Sequence, residues 1–372
     1  MRAFLLILVL LSSLAAAQQT NPDQLLNSAI EAQQRGDFPT AIQEYRKFLQ
    51  LRPHAIEAQV NLGAALVHVG QFDAAIAEYR SALASAPPQK TPLLMNLGLA
   101  YYKKGDFENA HKQFETVHAA QPNDVRVAIL LGDTDVRLGK YAEAVTMLEP
   151  LEDKNAQNLD FEYVLGRAMI QANKRRDGIA RIEKVAEGSR SADAYMLAGS
   201  TLLQLNEYEQ ARRDLDEALV LNDKLPGIYS LAGMARDKTG NIKEAEAAFR
   251  EALKLTPDDF TANLYLGAIL FKRRELGEAK KYLERALQLD PRSSMAGYEV
   301  GMLKSASGDY EAAAQQLEKV AGEDPTWLEP HVELASLYYR LHRPADGAKE
   351  RKIVERITDE ERKAGVAAPP EN

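Results

Sequence analysis

His111 and His118 are the closest approach to a metal-ligand pair in this chain, seven residues apart on one predicted helix. Seven residues make two turns, about 10 Å along the axis, whereas a zinc–nitrogen bond is about 2 Å. One ion cannot take both rings, so both are expected as surface histidines. His54, His68, His331 and His342 stand alone, without an HExxH pattern. The chain has no G-x-S-x-G elbow, no P-loop and no G-x-G-x-x-G. Glu311, Glu318 and Glu323 read as solvated helix faces, and a catalytic carboxylate pair would need a pocket that nothing here predicts. Cysteine is absent, which removes disulfides, thiolate zinc sites and a thiol for a lipid anchor. No catalytic residue, no cofactor and no metal site is expected.

The elements that position these side chains repeat. In FTANLYLGAILFKRRELGEAKKYLERALQLDP, residues 260–291, Leu266-Gly267 lies midway through a first helical pattern. Ala279, Leu283 and Ala286 mark one face of a second pattern, and Pro291 closes the unit. A shift of 34 residues reaches Gly233 and Gly301, Ala245 and Ala313, Pro257 and Pro325. The small residue in each first helix runs Ala29, Gly63, Gly98, Gly132, Gly166, Gly199, Gly233, Gly267, Gly301, Ala335, which counts ten units. A mid-helix glycine costs about 1 kcal/mol against alanine, so its recurrence at one phase requires a close helix crossing. Turns such as Gly36-Asp37-Phe38, Gly105-Asp106-Phe107 and Gly308-Asp309-Tyr310 place glycine where a helix ends in a left-handed residue.

Paired helices at this period, with small–large–small apolar marks, resemble the tetratricopeptide repeat (TPR) family from about Pro22 to Arg362. The resemblance implies an all-α fold, a right-handed superhelical solenoid of about ten TPR helix–turn–helix units. It also implies that the first helices line a concave groove where an extended peptide or partner segment binds. Some TPR modules grip a terminal carboxylate with lysine, asparagine and arginine from three successive units. Asn61 matches one such place, but the lysine–asparagine pair before it is missing, and Leu26/Ile30, Val60/Ala64 and Tyr163/Arg167 occupy corresponding positions. A chaperone-tail receptor is therefore not implied.

Residues 1–17 stand outside this pattern. Arg2, an apolar run from Ala3 to Leu14 and Ala15-Ala16-Ala17 before Gln18 read as a secretory signal peptide cleaved near Ala17. Twelve residues are too few to span a bilayer, which takes about 20. No second run of spanning length follows, so no integral membrane span is expected. The expected location is periplasmic or extracellular. Without Arg2 the chain carries 45 basic and 54 acidic residues, a net charge of −9, which argues against nucleic acid as a partner. The sequence divides into repeats 1–4 over residues 18–149, an irregular fifth repeat over 150–191, repeats 6–10 over 192–362 with a charged terminal helix, and a disordered tail over 363–372. Pro150 interrupts a helix, the following EDKNAQN is loop-like, and Gly178 replaces the usual alanine, so residues 150–191 read as a hinge.

The stripe beside the glycine seam is the candidate binding surface. It carries Tyr102 and Lys103 in the third repeat, Arg137 in the fourth, Tyr163 and Arg167 in the fifth, Phe271 and Lys272 in the eighth, Tyr298 in the ninth, and Tyr339 and Arg340 in the tenth. Tyrosine and arginine are enriched in binding hot spots. Trp327, at the junction of the ninth and tenth repeats, is expected to pack on the preceding helix. These features indicate a non-catalytic scaffold that binds a protein or peptide segment in its concave groove. An accessory subunit of polysaccharide synthesis or export machinery is the alternative reading, and a cryptic enzyme a third. A sugar groove calls for aromatic platforms with dense Asn, Asp and Gln; this stripe is more aliphatic, which favours a polypeptide. Nothing in the sequence fixes an oligomeric state.

Overall fold

In the computed structural model, described residues run from 21 to 363 except 86 and 88, and every regular element among them is helical. The signal peptide predicted for residues 1–17 and the predicted tail beyond Lys363 lie outside the described residues; Lys363 itself ends a helix. The first four repeats pair α1 (Pro22–Gln34) with α2 (Phe38–Leu51), α3 (Ile56–His68) with α4 (Phe72–Ala84), α5 (Thr91–Lys104) with α6 (Phe107–Ala120), and α7 (Val125–Arg137) with α8 (Tyr141–Leu148). After a 3-10 turn, Glu149–Leu151, comes the short α9 (Glu152–Asn155), then α10 (Leu159–Gln171) and α11 (Arg175–Ser189) of the fifth repeat. The remaining pairs are α12 (Ala192–Gln204) with α13 (Tyr208–Leu221), α14 (Ile228–Lys238) with α15 (Ile242–Leu255), α16 (Phe260–Lys272) with α17 (Leu276–Leu289), α18 (Ser294–Ala306) with α19 (Tyr310–Glu323), and α20 (Leu328–Arg340) with α21 (Pro344–Lys363).

The chain forms two compact blocks, one ending at Arg181 and one starting at Ile182. Inside each block a first helix packs on its own second helix, and that second helix packs on the next first helix. Contacts also run between successive first helices, as in α3 with α5 and α14 with α16 with α18. This is a solenoid of TPR-like pairs, each burying its apolar face on its neighbours.

Sequence dictates the crossing. A methyl built on Gly63, Gly98, Gly132, Gly199, Gly233, Gly267 or Gly301 would lie 2.5–2.8 Å from Tyr79, Phe114, Leu148, Leu215, Phe249, Leu283 or Leu317 respectively. The glycine of each first helix thus receives the large side chain of its own second helix, and these large residues are nearly or wholly buried. Gly178 is the fifth repeat's version of this approach. Its methyl would meet the Gly166 carbonyl oxygen at 2.6 Å, backbone against backbone, which is why alanine does not stand there.

The turns combine three roles. Gly308 ends α18 at φ +85°, Asp309 accepts a hydrogen bond from the Ala312 amide to cap α19, and Tyr310 begins that helix. Asp37 and Asp106 cap α2 and α6 in the same way, each worth about 1 kcal/mol. Where glycine is missing, Asn173, Asn206, Arg274 and His342 take the left-handed conformation instead. Pro150 does shorten α8, but the polar stretch behind it winds into α9 instead of staying a loop.

Candidate functional site

In the N-terminal block the predicted residues gather around one carboxylate. Asp133 on α7 accepts from the Tyr102 hydroxyl of α5, from Arg137 Nε one turn along at 2.8 Å, and from Arg167 Nη1 of α10 at 2.9 Å. Arg137 Nε also donates to the Tyr102 hydroxyl at 2.8 Å, and its guanidinium lies 5.1 Å from that ring's centre and 5.2 Å from the Phe107 ring. Arg167 stands 5.6 Å over the Tyr163 ring. Burial alone would raise the Asp133 carboxyl; the Tyr102 hydroxyl and the two guanidinium groups outweigh it and hold the carboxyl below its usual range. Burial and then the Asp133 charge push the Tyr102 phenol up, so it stays a neutral donor. Two cations share one anion, which leaves the cluster with one positive charge, and Lys103 stands exposed beside it.

In the C-terminal block the predicted residues part company. Phe271 packs on the core around α16. Tyr298 lies against Trp327 with ring centres 5.0 Å apart, and burial together with nearby acids lifts its phenol to about 12. This contact places Trp327 against α18, one helix further back than the preceding helix α19 on which it was expected to pack. Tyr339 packs toward α21, below the Arg351 guanidinium at 4.5 Å and against Gly347. Arg340 reaches back to Tyr310, 5.4 Å above its ring. Lys272 opens onto a pocket of about 190 Å³ lined by α14, α16 and α18, with Leu264, Tyr265 and Ala268 as its apolar floor, and Tyr339 and Arg340 line another between α20 and α21.

Tetratricopeptide repeat sequence profiles match residues 26–90, 163–227 and 231–297, and a second profile of that description matches 68–134 and 101–160. The chain belongs to the tetratricopeptide repeat family. It is similar to the TPR repeat-containing protein YpiA of Bacillus subtilis, 22% identical over 89% of this chain and 79% of that protein. It is also 20% identical to anaphase-promoting complex subunit 3 of Schizosaccharomyces pombe over 68% of this chain, and spans only 39% of that relative's length. A tetratricopeptide repeat protein from Parabacteroides merdae shares the fold, with 16% identity, a TM-score of 0.51, and coverage of 67% of this chain and 98% of that one.

Within the TPR framework the cations have a common place that sequence reading only half saw. Lys103, Arg137, Lys238, Lys272 and Arg340 all stand five residues after the seam residue, in the last turn of a first helix. Positive charge is favoured there by the helix's carbonyl end. The preceding turn's aromatic supplies a second contact: Arg137 on Phe107, Arg340 on Tyr310, and His68 stacked on Phe38 at 4.3 Å. Lys238 and its neighbour Asp237 were missed, although a step of one repeat back from Lys272 reaches Lys238. Met295 and Glu299 were missed as well, because they break the repeat instead of obeying it.

Two of the histidines are less exposed than expected. His331 is buried and shares a hydrogen bond of 2.6 Å with Glu350, fastening α20 to α21. His111 Nδ1 stands 2.7 Å from the buried Asp135 carboxylate, out of line for a hydrogen bond. Among the described residues no group of three or more histidines and acids is placed to hold a metal ion, and no helix is long and apolar enough to cross a membrane. A wider opening of about 680 Å³ lies between the second helices α15 and α17. Its arginines are already engaged, Arg250 by Glu246 and Glu278, and Arg285 by Asp258.

Proposed function

We propose that this protein is a non-catalytic scaffold that binds a segment of another polypeptide on the face of its first helices. The observation that carries the reading is the pocket between α14, α16 and α18, to which no second helix contributes. Here α14 touches α16 and α16 touches α18, yet between them they leave an apolar floor open to solvent. The positive cluster around Asp133 supports the same reading on α5, α7 and α10 of the other block. Membership of a family whose relatives include a subunit of a larger complex agrees with a role in assembly. The leader of residues 1–17 supports export, so the partner is sought in the cell envelope or outside the cell.

The test is capture from envelope extract with the chain starting at Gln18, followed by mass spectrometry, in parallel with Ala268→Arg, which fills the pocket floor. A protein retained by the first and lost with the second supports the reading. Equal capture by both, with helical circular dichroism intact, moves the partner elsewhere on the surface. N-terminal sequencing of the envelope-localised protein tests export: a mature chain beginning at Gln18 supports it, and an intact Met1 refutes it.

A further inference from the structure

The pocket on α14, α16 and α18 has a charge arrangement that selects what enters it. Its acids lie inside and its bases outside: Asp237 and Glu299 are half-buried, whereas Lys238 and Lys272 are exposed on the rim. Burial raises the Glu299 carboxyl above the usual carboxylate range, and Lys272 pulls it back without hydrogen-bonding to it. No hydrogen bond reaches that carboxyl among the described residues. Met295 stands beside it, an apolar side chain left 51% exposed on the first turn of α18.

Three kinds of occupant can be weighed. An anion would meet Glu299 and gain nothing from the apolar floor. A purely apolar side chain would cover the floor, but it would strip the remaining water from a carboxylate with no partner, which costs several kcal/mol. A long side chain with an apolar stem and a cationic head satisfies both surfaces, since such stems lie readily along apolar area while the head finds charge. The volume, about 190 Å³, equals about six waters at ~30 Å³ each, which is room for one long side chain and not for a helix.

We propose that this pocket receives a lysine or arginine side chain of the bound polypeptide, with its stem on Leu264, Ala268 and Met295 and its head on Glu299. The proposal rests on the reading of the first-helix face as a polypeptide site. A segment carrying only acidic groups would leave Glu299 unanswered. The exposed lysines of the rim then serve neighbouring acidic positions, so the matching segment alternates charge around one buried basic anchor.

A phage-displayed random peptide library selected on the chain from Gln18 supplies the probes. Selected peptides are then measured by fluorescence anisotropy against wild type, Glu299→Gln, Met295→Arg, Ala268→Arg and Arg137→Glu. In the expected result, peptides that lose binding to Ala268→Arg share a lysine or arginine at one position. Replacing that residue by norleucine weakens binding to wild type about ten- to hundredfold, the loss carried by a hydrogen bond to a charged group, but leaves binding to Glu299→Gln unchanged. Met295→Arg, which plugs the pocket with a tethered guanidinium at an exposed position, should abolish the preference without altering the fold.

If peptides sensitive to Ala268→Arg show no basic position, or if norleucine costs the same with and without Glu299, the pocket assignment is overturned while the scaffold reading stands. If every selected peptide binds wild type, Ala268→Arg and Arg137→Glu alike, the first-helix reading fails, and the pocket assignment with it.

Discussion

Asp214 is the most consequential titratable group in the C-terminal block, and replacing it by asparagine gives a sharp test of how α11 packs on α13. The residue sits on α13, nine-tenths buried, and its Oδ2 has no hydrogen-bond partner among the described residues. Glu183 and Glu187 face it from α11, Tyr195 from α12, and Arg213 is its neighbour on α13; Glu183 in turn accepts from Gln210 at 3.3 Å. Burial, then the Glu183 charge, push the carboxyl from 3.8 to about 7, against a weaker opposite pull from Arg213. The folded state therefore holds its proton more tightly than the unfolded chain. Stability from this group is fully present below the unfolded value near 4 and is lost as pH rises through about 7. At 1.36 kcal/mol per unit, the loss is on the order of 4 kcal/mol.

Asparagine has the same shape and does not titrate. Asp214→Asn should therefore differ little from wild type at the acid end of that window and be more stable by up to that amount at pH above 7. Urea denaturation at stepped pH, followed by circular dichroism and by hydrogen exchange of the α13 amides, reads the difference. A stability gap between variant and wild type that stays constant across the window would refute the reasoning, because it would mean that the carboxyl is already hydrated or paired in the folded state.

Three further outcomes follow from the backbone. Gly233→Ala should destabilise by about 1–3 kcal/mol, more than the ~1 kcal/mol gained in helix propensity, because its methyl meets the buried Phe249 ring at 2.5 Å; Gly178→Ala should cost more, since it strikes backbone atoms that no rotamer can move, and urea midpoints rank the two. Arg274→Gly should stabilise by about 1 kcal/mol by relieving a left-handed arginine, visible as a raised urea midpoint, since Arg274 holds φ +64° with its side chain exposed. Hydrogen exchange should show residues 150–191 opening below the global unfolding energy, as the hinge reading requires; uniform protection would remove the hinge.

Fold and site were not equally legible. The seam was open to sequence reasoning because two constraints reinforce each other at every repeat: Gly233 has no Cβ and Phe249 needs its space. Periodicity multiplies one weak local signal until it decides the architecture. Periodicity at the cations has a second cause beside any ligand. Arg137 and Arg340 recur because a helix end and a turn aromatic welcome positive charge there, a requirement of the stack that any ligand would find already in place. Tyr298 and Tyr339 recur at helical spacing too, and they meet Trp327 and α21. Gly178 looked like a defect in the pattern, whereas it marks a crossing tighter than alanine permits.

The residues that carry the pocket hypothesis are those the repeat does not explain. At the phase of Glu299, the preceding repeats from the second onward carry Asn61, Asn96, Leu130, Val164, Leu197, Leu231 and Tyr265. None of these is ionised; the tenth repeat carries Glu333 at the same phase, so a carboxylate there is confined to the last two repeats and is not a demand of the stack as a whole. Asp133 is likewise unlike Leu99 before it and Arg167 after it, and Met295 replaces the polar Thr261 of the preceding repeat. A solenoid needs its small, large and turn residues at fixed phases, which fills those positions for structural reasons alone. A residue off that pattern, half-buried and without a hydrogen-bond partner, costs stability and contributes nothing to the stack. Glu299 is such a residue, and the cationic side chain proposed for its pocket is what would offset that cost.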